Sequence, residues 1–172
     1  SNLLMRNPTP KINFRIGDKI KQVLTQQQAK IFLEKALEYD HDWYPIWVVA
    51  IYTGMRNGEL HSLTWDKIDL ENNTILVSST WNKKDGSKDL TKSGEDRIIE
   101  MAPSVKILLQ ERKLQSNGNN FVLPRMQDWD TGRQAEILRM FLSSIGLPRI
   151  RFHDLRASWA TMLLGRGAEP AK

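Results

Sequence analysis

Two short stretches, far apart in the chain, each set an arginine three residues from a partner: Thr53-Gly54-Met55-Arg56-Asn57-Gly58-Glu59-Leu60 and His153-Asp154-Leu155-Arg156. Arg56 falls at the expected start of a helix, where the macrodipole is positive and a cation lowers stability, so its placement asks for a reason. An anion held jointly by the guanidinium and the unpaired amides of the first turn supplies one. Glu59, one turn further on the same face, can accept from Arg56 and aim its fork at that anion. His153 and Arg156 have the same spacing at the start of another helix, with Asp154 suited to its first turn. Between the two stretches Lys92 precedes Ser93-Gly94 in a tight turn. Each piece alone also reads as ordinary structure. Arg56 and Glu59 could be an intrahelical ion pair worth about 0.2–0.5 kcal/mol, His153 and Arg156 an interior histidine beside a surface arginine, and Lys92 one more solvated lysine near Lys83, Lys84 and Lys88.

Composition narrows the chemistry. Lys and Arg exceed Asp and Glu by 25 − 20 = 5 over 172 residues, which favours a polyanionic partner. Cysteine is absent, which excludes disulfides, thiolate zinc sites and cysteine nucleophiles. His41, His61 and His153 lack metal-ligand spacing, and no Gly-rich phosphate loop is present, so neither a metal nor a nucleotide cofactor is expected. The longest apolar run, Ile46 to Ile51, is far too short for a membrane span, and nothing at the start of the sequence has the form of a signal peptide. A soluble, cytoplasmic protein is the expectation.

The elements that must position these residues can be read from pattern. Residues 1–22, with Pro8, Pro10 and scattered basic residues, read as a linker, and 23–172 as one domain. A chain of this length buries roughly 70% of its unfolded surface and needs no staple. Thr25 and Gln28 form a capping box ahead of a helix to about Tyr39, and an apolar helix follows from about Trp43 to Tyr52. Asn57 is the expected N-cap of a short third helix to about Leu63. Strands are expected near Lys67 to Leu70, Thr74 to Ser79 and Arg97 to Met101, making a small three-stranded antiparallel sheet. The polar stretch Trp81 to Asp89 reads as an extended loop. Three further helices are expected from Pro103 to about Gln115, from Ala135 to Ile145, and along the stripe Leu155, Trp159, Met162, Leu163. The fold class is thus mainly α with one small sheet. Trp43, Trp47 and Trp159 read as core, while Trp81 and Trp129, in polar surroundings, read as surface or partner contacts.

The ordered set of Thr-Gly-x-Arg-x-x-Glu-Leu, a sheet ending in Thr91-Lys92-Ser93-Gly94 then Arg97-Ile98-Ile99, and a late His-x-x-Arg resembles the catalytic domain of the tyrosine recombinases, the phage integrases, over most of residues 24–167. Leu63-Thr64-Trp65-Asp66-Lys67-Ile68-Asp69 resembles the helix-to-strand passage that follows the first arginine in that family. The resemblance implies that Arg56 and Arg156 grip a phosphate, Lys92 is the general acid, His153 is a proton-handling phosphate ligand, and Glu59 supports Arg56. It implies double-stranded DNA as partner, no cofactor or metal, and a homo-oligomeric, tetrameric synapse on DNA in a bacterial or phage setting near the nucleoid. These roles make physical sense: two permanently charged planar forks stabilise the charge gathering on a phosphodiester under attack without a metal.

In that family a tyrosine hydroxyl attacks, forming a 3′-phosphotyrosine that lets the strand be rejoined without ATP. Here Tyr39, Tyr44 and Tyr52 all precede Arg56, whereas the family places its nucleophile after the His-x-x-Arg box. The chain is therefore expected to be a catalytic domain incomplete at its C-terminal end, without a nucleophile and inactive by itself. Two alternatives stand beside this: a non-catalytic DNA-binding module on the same scaffold, and a type IB topoisomerase.

Overall fold

The computed structural model describes residues 22–82, 87–90 and 96–164, with side chains except in 79–82, 87–90 and 161–164. Helix α1 (Gln26–Glu38) starts where its cap dictates: Thr25 Oγ1 accepts from the Gln28 amide at 3.2 Å and Gln28 Oε1 accepts from the Thr25 amide at 3.0 Å. It buries the face carrying Ala29, Phe32, Leu33 and Ala36. Helix α2 (Tyr44–Thr53), with Pro45 in its first turn, is apolar all round and accordingly buried from Ile46 through Ile51. It packs against α1, α3 (Asn57–Ser62), α4 (Pro103–Gln115) and α7 (Asp154–Leu164), so the two arginine-bearing segments sit on one central rod. Helices α5 (Gln127–Asp130) and α6 (Gln134–Ser144) complete the helical part. Phe32, Trp47 and Phe141 meet within 5.9 Å of one another, ring centre to ring centre, at the heart of the core.

After α3 a 3₁₀ turn at Trp65–Lys67 leads into β1 (Ile68–Asp69). The turn that follows is closed by Asp69, whose carboxylate accepts from the Glu71 and Asn72 amides at 3.1 and 2.9 Å, with Asn73 at φ 57° returning the chain into β2 (Thr74–Val77). β2 then pairs antiparallel with β5 (Arg97–Glu100), giving the order β1-β2-β5 with Ile75 opposite Ile99 and Val77 opposite Arg97. This is the expected small sheet on a mainly α fold. One expectation fails beside it. The stretch read as an extended loop holds β3 (Ser79–Asn82) and β4 (Ser87–Leu90), a separate antiparallel hairpin that packs on α3. A two-stranded ribbon needs no long apolar run, and Asp85-Gly86, a pair typical of hairpin turns in sequence, is the sign that could have been read.

Loop packing links α7 to the first helix: Ser158 Oγ accepts from the Leu24 amide at 3.1 Å and donates to the Asp154 carbonyl at 3.1 Å. At the other end of α1, the His41 ring lies 4.5 Å from Trp47 and 4.8 Å from Phe141, centre to centre. Burial pulls this imidazole below the ordinary histidine value, against the opposing pull of Asp42. A group whose value is lower in the fold contributes stability above its unfolded value and loses it as pH falls towards the folded one. The denaturation midpoint should therefore drop between about pH 7 and about pH 5.5, the range spanning the ordinary imidazole value of about 6.5. His41→Gln should flatten that slope in urea titrations at the two pH values, and an unchanged slope would remove His41 as its source.

Candidate active site

Gly54 ends α2 in the left-handed region at φ 65°, turning the chain so that Arg56 becomes the N-cap of α3. Sequence had put Asn57 in that position. Asn57 is instead the first helical residue, and its Oδ1 accepts from the Trp129 indole at 2.7 Å. Arg56 has no acceptor atom to cap the first-turn amides, and Glu59 supplies the reverse half of a capping box: its Oε2 accepts from the Arg56 amide at 2.8 Å and its Oε1 from Arg56 Nη1 at 3.1 Å. The expected Arg56 and Glu59 pairing is therefore present, and it doubles as a helix start.

Glu59 has a further partner. Arg97, the first residue of β5, donates Nη1 to Oε1 at 2.8 Å and Nη2 to Oε2 at 2.7 Å, a fork-to-fork pair across 38 positions of sequence. The Glu59 side chain is 1% exposed, against 48% for Arg56 and 35% for Arg97. Burial pushes its carboxyl up, but the hydrogen bonds from Arg97 and from the Arg56 amide outweigh it and hold the group below the usual glutamate value. Glu59 is thus an anion within the fold at neutral pH.

Arg156 stands in the first turn and a half of α7 and lines, with Arg97 and Trp159, a cleft of about 620 Å³ whose other walls come from Ile51 to Gly54 and Ile98 to Pro103. Burial lowers its basicity first, the neighbouring charge of Arg56 lowers it further, Glu59 opposes, and Arg97 adds to the lowering. A guanidinium keeps its proton through such shifts, so what they report is proximity. Cations from α3, β5 and α7 share one electrostatic neighbourhood. Trp159, three residues after Arg156, lies so close to Gly54 that a Cβ there would come within 2.9 Å of its ring.

His153 directly precedes α7 and is exposed. With Arg156 it lines a second, smaller cavity shared by Met55, Asn57 and Gln134, which agrees with the common direction that its spacing implied. Asp154 fixes the entry to α7: its carboxylate accepts from the Arg151 amide at 3.0 Å and from Arg151 Nε and Nη2 at 2.9 Å each. These bonds, ahead of an opposing burial, hold it below the usual aspartate value. Lys92 lies outside the described residues, as do Lys83 and Lys84. Of the segment that carries Lys92, both described flanks lead to α3: β4 pairs with β3, which packs on that helix, and Arg97 grips Glu59.

Trp129 corrects the sequence reading. It is fully buried in α5, edge-on to His61 at 4.7 Å and 5.6 Å from Trp43, because its one polar atom finds Asn57 and the rest of the ring can leave water. His61, 4% exposed, joins the same support, with Nε2 2.8 Å from Asp130 Oδ1 and its carbonyl accepting from Arg125. Trp81 belongs to β3, and its side chain is outside the described set. Arg97 and the His61 support were not singled out from sequence. The available signal was Glu59 itself, since a buried carboxylate facing a ligand-directed arginine calls for a second donor.

Comparison with known proteins identifies the family to which the chain belongs. Residues 22–172 match the Phage integrase family. The Escherichia coli K12 putative defective protein IntQ is 34% identical over 70 residues, 40% of this chain and 18% of that one. The Escherichia coli shufflon-specific DNA recombinase is 24% identical over 147 residues, 86% of this chain and 33% of that one. Among solved structures, the Tn1549 transposon integrase in complex with transposon right end DNA matches with a TM-score of 0.72 at 26% identity, over 87% of this chain and 55% of that one. XerA recombinase matches with a TM-score of 0.66 at 28% identity, over 86% and 50%. The chain spans about half the length of these solved structures and a third or less of the curated relatives. With arginines from remote segments gathered around Glu59 and a family match over most of its length, the chain belongs to the Phage integrase family, the tyrosine recombinases.

Proposed function

We propose that residues 23–172 form the phosphate-binding and proton-handling part of a site that cuts and rejoins duplex DNA through a 3′-phosphotyrosine, with no metal and no ATP. The observation that carries this is the shared neighbourhood of Arg56, Arg97 and Arg156 around one buried carboxylate, a net positive site of planar donors. Arg56 and Arg156 hold the non-bridging oxygens of the scissile phosphate, where charge develops in the transition state. His153, beside Arg156, binds the same group and handles a proton. In this reading Lys92 delivers a proton to the departing 5′ oxygen, a general-acid role that an ammonium can fill. The Tn1549 transposon integrase in complex with DNA supports DNA as the partner, and we extend to this chain duplex DNA and a tetrameric assembly on it in the cytoplasm, at the nucleoid. No helix among the described residues is long and apolar enough to cross a membrane.

The attacking hydroxyl is not among these 172 residues in this reading, since Tyr39, Tyr44 and Tyr52 all precede Arg56. Tyr52 nevertheless lines the cleft with Arg156, so it is the tyrosine to exclude. Incubation of the 172-residue chain with a nicked duplex substrate should give retained DNA on a native gel but no covalent adduct on a denaturing one. An adduct lost in Tyr52→Phe would overturn the assignment of the nucleophile. Full retention of DNA by a variant lacking both Arg56 and Arg156 at elevated salt would favour a module that binds DNA without this site.

A further inference from the structure

Glu59 sits between two guanidinium groups that treat it differently. Arg97 takes both carboxylate oxygens through both Nη atoms, at 2.8 and 2.7 Å, whereas Arg56 gives its side chain to one oxygen only, through Nη1 at 3.1 Å. The other bond from Arg56 comes from its backbone amide, at 2.8 Å, and does not depend on the arginine side chain. The count of formal charge is three arginines against one glutamate, 3 − 1 = +2, for Arg56, Arg97, Arg156 and Glu59.

With Arg97 removed, a carboxylate only 1% exposed would face one guanidinium side chain within bonding distance. Leaving such an anion half-paired is unfavourable, and the nearest relief is for it to turn its second oxygen onto the Arg56 fork. That fork would then be closed to a phosphate, and the local charge would fall to +1.

We propose that Arg97 is a positioning residue of the phosphate site: by holding Glu59 from the strand side, it keeps that carboxylate from closing over Arg56 and leaves Arg56 and Arg156 charged towards a phosphodiester. This rests on the reading of Arg56 and Arg156 as phosphate ligands. The same bond ties the start of β5 to α3, and Arg97 follows Lys92 by five positions, so the clamp also fixes the downstream end of the segment that carries the proposed acid.

The test is titration with inorganic phosphate, followed through the arginine Nε–Hε resonances, and repeated with a short duplex by fluorescence anisotropy. Circular dichroism is recorded for every variant. Arg97→Gln should weaken phosphate binding about tenfold or more, as expected for losing a charge-assisted partner and occluding a fork. Arg97→Lys should fall between, because a point ammonium keeps the charge but not the two-pronged grip. The deciding variant is Glu59→Gln with Arg97→Gln, which removes both charges of the pair, returns the local count to +2 and keeps side chains able to hydrogen bond. It should bind phosphate within about twofold of the parent, since the neutral pair leaves no unpaired buried ion to close over Arg56. A merely structural role predicts the opposite, a double variant as weak as Arg97→Gln or weaker, and that result overturns the proposal. So does undiminished binding by Arg97→Gln. Should Arg97→Gln fail to fold, the double variant alone decides. Arg56→Ala and Arg156→Ala are measured alongside: if neither loses phosphate, the site reading itself is wrong, whereas their loss with Arg97→Gln unaffected refutes Arg97 alone.

Discussion

Arg156→Ala in the complete protein should reduce strand cleavage by about a thousandfold or more while changing affinity for duplex DNA only a few-fold. The cleavage step gathers charge on two phosphate oxygens, and a preorganised donor there typically contributes a factor of about 10²–10³ per hydrogen bond. Under the proposed roles, Arg156 offers a planar fork that is partly buried and shares an electrostatic neighbourhood with Arg56, the kind of prior arrangement such a step needs. Affinity, by contrast, is spread over many phosphate contacts, of which this is one. Arg156→Lys should recover little, because its charge returns without the fork. The check is single-turnover cleavage of a labelled site at saturating protein, with binding measured separately; cleavage within about tenfold of the parent would remove Arg156 from the proposed chemistry.

Why the two local pairs were readable and their organiser was not follows from distance in sequence. Arg56 with Glu59 and His153 with Arg156 lie three apart, so helical geometry alone places each pair on one side. Arg97 meets Glu59 only because β2 and β5 pair in a register that puts Arg97 opposite Val77, at the end of the sheet next to α3. No local rule encodes that meeting. The same holds for Trp129 and Asn57, 72 positions apart: a tryptophan in the polar run from Met126 to Thr131 shows no apolar period, and only the tertiary fold supplies the acceptor that lets it be buried.

Helix boundaries were legible where side chains cap them, as at Thr25, and slipped where the cap was unusual. At α3 the N-cap is an arginine with no acceptor, and the helix is begun by a glutamate reaching back from within it. Sequence rules favour the asparagine next door, which the fold uses for a different bond. The local rule is overridden at the residue proposed to bind phosphate, where function and local propensity would be expected to part.

Gly54 is where the end of α2 touches α7, and an added methyl there should be far more damaging than at Gly118 or Gly146. The residue has φ 65°, and a Cβ would stand 2.9 Å from Trp159 Cδ2 and 3.0 Å from Cε3. Two separate costs arise: about 1 kcal/mol for an alanine in the left-handed region, and about 1–3 kcal/mol for forcing a packed indole aside, or about 2–4 kcal/mol together. Gly118 and Gly146 provide the control, since they have φ of 81° and 73° but nothing within 4 Å of the added carbon. Alanine at either should show the backbone cost alone, about 1 kcal/mol in urea denaturation. Because Trp159 is one turn from Arg156 and Gly54 is two residues before Arg56, a displaced ring is expected to disturb the spacing of the two arginines, and under the proposed function Gly54→Ala in the full-length protein should lose cleavage beyond what its stability loss explains. Adding Trp159→Leu should restore the steric share of stability and leave the backbone share. If Gly54→Ala proves no more costly than Gly146→Ala, the contact between α7 and the end of α2 is not what holds the two arginine segments together.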